Sequence, residues 1–218
     1  MIELTVPQKI AVWALPVLFA ITVHEVAHGW VASKFGDQTA RFAGRLTLNP
    51  LRHVDLVGTI IVPILLLLTS NFIFGWAKPV PVDSRNLRNP RVSIAIVALA
   101  GPATNFIMAI LWALFAKLGM VFVDHSPWLG IPLVYMGEAG ILINVVLGVL
   151  NCLPVPPLDG GRAVLSLLPG KIAWQMQRFE HLGFLILILL MFSGILSQVI
   201  SPPIFLMTNW IANLFGLR

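Results

Sequence analysis

A chain of 218 residues that is 58% hydrophobic and 11% charged, with mean hydropathy +0.90, lies far from the half-apolar, quarter-charged makeup of a soluble domain. It is expected to be an all-α polytopic membrane protein of about five to six transmembrane helices, folded as a single membrane-embedded domain over 1–218, with a core at 8–162 and C-terminal helices at 163–218. The formal charge of +5 rests mostly on loop Arg and Lys, with no basic run interleaved with aromatics, so it reads as membrane topology and argues against a nucleic-acid partner.

The first apolar segment runs from about Pro7 to Lys34, with Pro7 where helix starts tolerate proline and Gly36 just past the end. Only Lys9 precedes the apolar run and no small-residue cleavage site follows, so the segment is expected to be retained. Toward its C-terminal end stands His24-Glu25-Val26-Ala27-His28. On a helix the two histidines lie one turn apart on one face, where both rings can reach one metal ion, with Glu25 beside a water on that metal. With five His and four Glu in the chain, chance would produce this pattern only about 0.002 times. Two helix histidines satisfied by neighbours is the competing explanation, and it is the weaker one because ionisable groups inside a membrane segment are functional by default.

From Lys34 to Asp55 the chain is polar, and Lys34, Arg41, Arg45 and Arg52 outweigh Asp37 and Asp55. The positive-inside rule makes this loop cytoplasmic and the N-terminus external. Leu56 to Trp76 is long enough to cross, yet the next loop carries Lys78, Arg85, Arg88 and Arg91 against Asp83 alone, and a simple crossing would put that basic loop outside. The preferred alternative is a re-entrant element: Leu56 to about Thr69 enters as a short helix, and Asn71 to Val82 returns extended, since Pro79 and Pro81 forbid a helix. Irregular backbone at membrane depth survives only where protein buries it or water reaches it.

Val92 to Phe122 is the next predicted helix, and its Ala100-Gly101-Pro102-Ala103-Thr104-Asn105 permits close helix approach while Asn105 needs a partner in an apolar setting. Leu133 to Leu153 crosses back, with Asn144 and Asn151 roughly on one face. Three prolines and two glycines between Asn151 and Arg162 end that helix and fix a turn holding Asp159 at a membrane boundary, where it either caps the next helix or meets the two histidines. Cys152, the single cysteine, cannot form an internal disulfide and is expected to be a small buried residue. Arg162 to Lys171 is a short interfacial stretch, and Phe184 to Ile200 is a further span that Ser201-Pro202-Pro203 breaks. Ile204 to Leu217 follows as a short span or external helix.

The His24–His28 motif, Ala100-Gly101-Pro102 with Asn105, and Asn151 through Gly160 occur in one order that resembles the site-2 protease family of intramembrane zinc metalloproteases, over about Ile10 to Arg162. Leu48-Asn49-Pro50 with His53, and Phe74 through Val82, look like a compact prokaryotic branch without a PDZ or CBS insertion. The resemblance implies one Zn2+ per chain held by His24, His28 and Asp159, with Glu25 as base and Asn151 steadying the substrate carbonyl or its oxyanion. It gives His53, Asn105 and Asn144 structural or supporting roles. It also implies a transmembrane protein substrate, a lipid bilayer as surroundings, and a multi-pass location in a bacterial inner membrane with the active site near the cytoplasmic side. The extended stretch holding Gly75, Trp76, Ala77, Lys78, Pro79 and Val80 is the candidate substrate-binding edge, pairing with an unwound substrate as an added strand.

Two other functions were weighed against this one. A membrane-embedded zinc peptidase for soluble or lipid-modified peptides would want a downstream glutamate ligand, and Glu138 and Glu180 are poorly placed for that. A non-enzymatic metal-binding membrane protein would want polar groups stepped through successive helices, whereas the metal-capable groups here form one cluster. The sequence carries no signal for oligomeric state.

Overall fold

The computed structural model describes residues 5–62, 65, 75–169, 171 and 180–217. The first helix, α1, spans Val6–Lys34, and its start is closed by the Gln8 side chain accepting from Thr5 N–H at 2.9 Å, with Pro7 in the first turn. It ends where Gly36 takes φ +113°, which lets Asp37 N–H return to the carbonyl of Ala32 at 3.0 Å. A one-turn helix α2, Thr39–Phe42, follows. The remaining helices are α3 (Pro90–Val123), α4 (Pro127–Asn151), α5 (Asp159–Leu167), α6 (Glu180–Phe192) and α7 (Ile195–Phe215).

The bundle is built around the α3–α4 hairpin, and α1 and α5 both pack on α3. The hairpin is tight because glycines of α4 face bulk on α3 in antiparallel register: Gly130 lies on Val123, Gly137 on Ala116, Gly140 on Trp112 and Gly148 on Phe106. A Cβ at Gly140 would stand 2.2 Å from the Trp112 ring, so no larger residue allows this approach. Ala109, Trp112 and Ala113 of α3, Ile141, Val145 and Val149 of α4 and Ile211 of α7 form the main core. The outer face of α3 is as apolar as its inner face, with Ile107, Leu111, Leu114 and Leu118 exposed, as expected of a helix set in hydrocarbon. Four described helices are long and apolar enough to cross a membrane: Pro7–Lys34, Pro90–Val123, Pro127–Asn151 and Ile195–Phe215. Leu182–Phe192 is apolar but shorter.

Two local expectations are corrected. The break between the last two helices lies at Ser193-Gly194 and not at Ser201-Pro202-Pro203, which sits inside α7. Gly194 turns the backbone by taking φ +75°, a conformation open mainly to glycine, whereas both prolines keep helical φ and remove only their donors. Cys152 is exposed instead of buried, because it is the C-cap where α4 gives way to the following loop.

Between α2 and α3, Leu56–Ile61 forms a π-helical turn whose start is closed by Asp55, accepting from Val57 N–H at 3.1 Å and Gly58 N–H at 2.7 Å. The chain from 75 to 83 has no regular structure and runs beside that turn. Trp76 N–H donates to Gly58 O at 3.0 Å, Thr59 Oγ1 donates to Trp76 O at 2.9 Å, and Lys78 N–H donates to His53 O at 2.9 Å. The expected helix end near Thr69, the return from Asn71, and Phe72 and Phe74 lie outside the described residues.

Candidate metal centre

Three donor atoms meet between α1 and the start of α5. His24 Nε2 lies 3.0 Å from Asp159 Oδ2, His28 Nε2 lies 3.2 Å from the same oxygen, and the two Nε2 atoms are 3.1 Å apart. Among the described residues these are the three side chains grouped closely enough to share one ion. The i, i+4 spacing on α1 supplies the first two, and the loop after α4 brings in the third as the first residue of α5.

Neighbouring acceptors assign the ring tautomers. His28 Nδ1 donates to Val97 O at 2.7 Å, and His24 Nδ1 donates to Asn105 Oδ1 at 2.5 Å. The orientation of Asn105 is settled in turn, because its Nδ2 donates to Ala20 O at 3.2 Å and to Asn144 Oδ1 at 2.9 Å, while Asn144 Nδ2 donates to Gly140 O at 2.9 Å. Both Nδ1 atoms therefore carry a proton, which leaves the neutral form of each ring an Nε2 lone pair to offer a metal ion beside the Asp159 carboxylate. Metal–ligand bonds of about 2.0–2.1 Å in a tetrahedral zinc site set donor–donor edges near 3.3 Å, so the observed triangle has the size of one tetrahedral face. Two imidazoles and one carboxylate are a zinc donor set that leaves the fourth position open.

Gly101 makes this packing possible. A Cβ there would come within 2.5 Å of His28 Nε2 and 2.6 Å of His24 Nε2, so the AGP segment of α3 lies directly against both rings. The sequence reading treated Gly101 as a helix-packing residue and gave Val97 no role. A backbone acceptor such as Val97 O has no residue signature, and only the docking of α3 on α1 reveals it.

The other candidate residues divide clearly. Glu25 Oε2 accepts from Val80 N–H at 2.9 Å. Asn151, whose Nδ2 donates back to Leu147 O at 3.0 Å, joins His24, Glu25 and Asp159 around a cavity of about 510 Å³. Gly75, Trp76, Ala77 and Pro79 line the same cavity together with the apolar side chains of Ile21, Leu150, Phe184 and Leu187, and the Trp76 and Phe184 rings meet edge to face at 5.8 Å. A second and more polar cavity of about 620 Å³ reaches Glu25, His28 and Asp159 past Val80, Ser84, Arg162 and Ser166. Lys78 lines neither cavity and is exposed. His53 stands apart from the donor triangle: it is buried, its Nε2 donates to Thr47 O at 2.9 Å, and its carbonyl receives Lys78 N–H. It anchors the loop.

The sequence profile of peptidase family M50 matches residues 12–194. The chain is similar to the "Putative zinc metalloprotease YwhC" of Bacillus subtilis, 36% identical over 210 residues that cover 93% of this chain and 90% of that protein. It is also similar to the "Putative zinc metalloprotease Rip2" of Mycolicibacterium smegmatis, 30% identical over 187 residues that cover 83% of this chain and 66% of that protein. A more distant likeness is to the "Zinc metalloprotease MJ0392" of Methanocaldococcus jannaschii, 22% identical over 190 residues, 86% of this chain and 44% of that protein. No solved structure matches the chain. The matched region takes in both halves of the donor triangle, and the chain belongs to peptidase family M50, the site-2 protease family.

Proposed function

We propose that the protein is an intramembrane zinc endopeptidase that cleaves transmembrane protein substrates within or beside their membrane-spanning helices. The carrying observation is that the His24–His28–Asp159 triangle opens into a largely apolar cavity bordered on one side by an extended backbone segment. An apolar lining suits the side chains of a membrane helix, and a free backbone edge suits a helix that has been unwound to expose its peptide bonds.

A zinc ion held by these three residues would supply Lewis acidity toward water and toward the scissile carbonyl. Glu25 is the proton carrier: Val80 N–H occupies Oε2, which leaves Oε1 to take a proton from water and pass it to the leaving amine. Asn151 uses one amide hydrogen on Leu147 O and keeps the other for the carbonyl oxygen as it gains charge, a contact worth about 3 kcal/mol when preorganised. On the extended segment the polar groups of Trp76 and Lys78 are taken on one edge, while Ala77 N–H and C=O carry no hydrogen bond among the described residues. Successive residues of a strand point their polar groups to opposite edges, so Ala77 offers its pair to an incoming strand, and Pro79 and Pro81 have no N–H to offer. Val80, grouped at first with the substrate edge, is assigned instead to holding Glu25.

The pairing of Trp76 with Gly58 supports a re-entrant arrangement in which the chain enters and leaves on one side. The surplus of Arg and Lys in the loops on that side supports a cytoplasmic position of the site in a bacterial inner membrane.

The test is a comparison of the purified protein with its Glu25→Gln and Asp159→Asn variants for zinc stoichiometry and for cleavage of single-span and soluble peptide substrates. The expected result is one zinc in the wild type and in Glu25→Gln, reduced zinc in Asp159→Asn, and cleavage of single-span substrates by the wild type alone. Cleavage by Glu25→Gln would overturn the mechanism, and cleavage confined to soluble peptides would overturn the substrate class.

A further inference from the structure

Arg45 is a buried cation, 9% exposed, with no carboxylate partner among the described residues. Its Nη2 donates to Lys78 O at 2.7 Å and reaches Pro79 O at 3.4 Å, while its Nε has no partner. Burying a charge in this way is costly, and a neutral donor would satisfy the same carbonyl with less desolvation. Nη2 of the guanidinium carries two N–H donors and so addresses two consecutive carbonyls from one rigidly held nitrogen.

Its shorter bond holds the Lys78–Pro79 peptide group, and its longer one reaches the next peptide group, which carries the N–H that meets Glu25. Pro79 C=O and Val80 N–H belong to a single planar unit, so the face that meets Arg45 fixes the direction in which Val80 N–H points. Pro79 has no donor of its own, and Trp76 and Lys78 are anchored through Gly58, Thr59 and His53 upstream of it. Between Lys78 N–H and Val80 N–H, Arg45 is therefore the polar restraint on the chain.

We propose that Arg45 is a positioning residue that sets the register of the 76–80 segment against the metal centre and, through Val80 N–H, the orientation of Glu25. This rests on the proteolytic reading above. Loss of the clamp lets the Ala77 edge slide relative to the ligands, so a paired substrate presents more than one peptide bond to the same base.

The experiment compares zinc-loaded wild type, Arg45→Ala and Arg45→Lys for zinc content, kcat and KM on a single-span substrate, cleavage position by mass spectrometry, and amide exchange across 76–80. Arg45→Ala is expected to keep stoichiometric zinc and a nearly unchanged KM, to lose kcat by about 100-fold as expected for a misplaced reacting group, and to cut at additional positions. Its 76–80 amides should exchange faster, and millimolar guanidinium should restore part of kcat. Arg45→Lys should fall between and retain the wild-type cleavage position; it decides the matter if Arg45→Ala does not fold. Wild-type kcat with a single cleavage position in Arg45→Ala would overturn the proposal, as would parallel loss of zinc and kcat in a folded Arg45→Lys. If the wild type cleaves no membrane substrate, the proteolytic reading fails by itself, and unchanged exchange at 76–80 in the variants would separately refute the clamp.

Discussion

Asn105 selects which nitrogen of His24 faces the metal position. Its Oδ1 accepts from His24 Nδ1–H at 2.5 Å, and its own orientation is locked by Asn144 Oδ1 at 2.9 Å and Ala20 O at 3.2 Å, so a relay of amides running from the Gly140 carbonyl ends on a proposed metal ligand. Outer partners of this kind hold ring orientation and ligand basicity.

Replacing Asn105 with leucine frees the His24 ring and leaves the buried Oδ1 of Asn144 without its donor. Zinc affinity, measured by competition with a chelator, is expected to fall about 10- to 100-fold. Stability is expected to fall by about 1–3 kcal/mol from the unpaired groups. Asn144→Ala should have the smaller effect on zinc, because it touches His24 only through Asn105.

Gly101→Ala tests the donor triangle itself. Alanine favours helix over glycine by about 1 kcal/mol, so helical content should be preserved. The added Cβ, at 2.5–2.6 Å from both Nε2 atoms, must displace the rings. A folded protein that no longer retains stoichiometric zinc is the expected outcome, read by circular dichroism and elemental analysis together. Full zinc retention would contradict the proposed ligand arrangement.

Ala77→Pro removes a backbone donor on the cavity edge without touching His24, His28, Asp159 or Glu25. Cleavage of membrane substrates is expected to drop by at least about tenfold, the equivalent of one net hydrogen bond of 1–1.5 kcal/mol, while zinc content stays at the wild-type value. Cleavage at the wild-type rate would remove strand pairing from the mechanism.

The loop beneath the site carries its own pH dependence. Asp37 is fully buried, and its carboxylate accepts from Thr39 N–H and Oγ1, from Asn86 Nδ2 and from Asp83 N–H, tying the end of α1 to the end of the 75–83 segment. Burial alone would raise this carboxyl, and the hydrogen bonds from Thr39, Asn86 and Asp83 outweigh it and hold it below the ordinary value. Asp83 is itself pushed down to about 2 by its hydrogen bonds with Arg85. A carboxyl depressed in the folded state contributes its stability fully above the unfolded value near 3.9 and loses it as pH falls through the folded value. Limited proteolysis of the loops is therefore expected to be flat from neutrality to about pH 5 and to rise below about pH 4. Asp37→Asn should abolish most of that rise and show faster proteolysis at neutral pH.

The parts of the site that follow a local period were legible before any fold was known. His24 and His28 declare themselves by their spacing, and Glu25 by its place between them. Asn105 was legible as a polar group needing a partner, although the identity of that partner depends on how α3 docks. Asp159 lies 135 residues from His24, and its turn composition left a capping role open as the lesser alternative. Arg45 was counted as one positive charge in a cytoplasmic loop, because nothing local distinguishes a solvated arginine from one folded under a backbone carbonyl. The misplaced break at Pro202-Pro203 has a similar origin: prolines are conspicuous in a sequence, whereas the left-handed turn at Gly194 depends on how α6 and α7 pack.

The division of labour among helices at the donor triangle has a thermodynamic consequence. Ligands come from α1 and α5, and the rings on α1 are steered by two points on α3. A single ion held by the three proposed ligands would act as a rivet joining segments that are far apart in the chain, with its binding energy linked to assembly of the bundle. Thermal stability is expected to depend on free zinc, rising by about 2.7 kcal/mol at a hundredfold excess over Kd. A chelator would then act on this protein as a denaturant as well as an inhibitor.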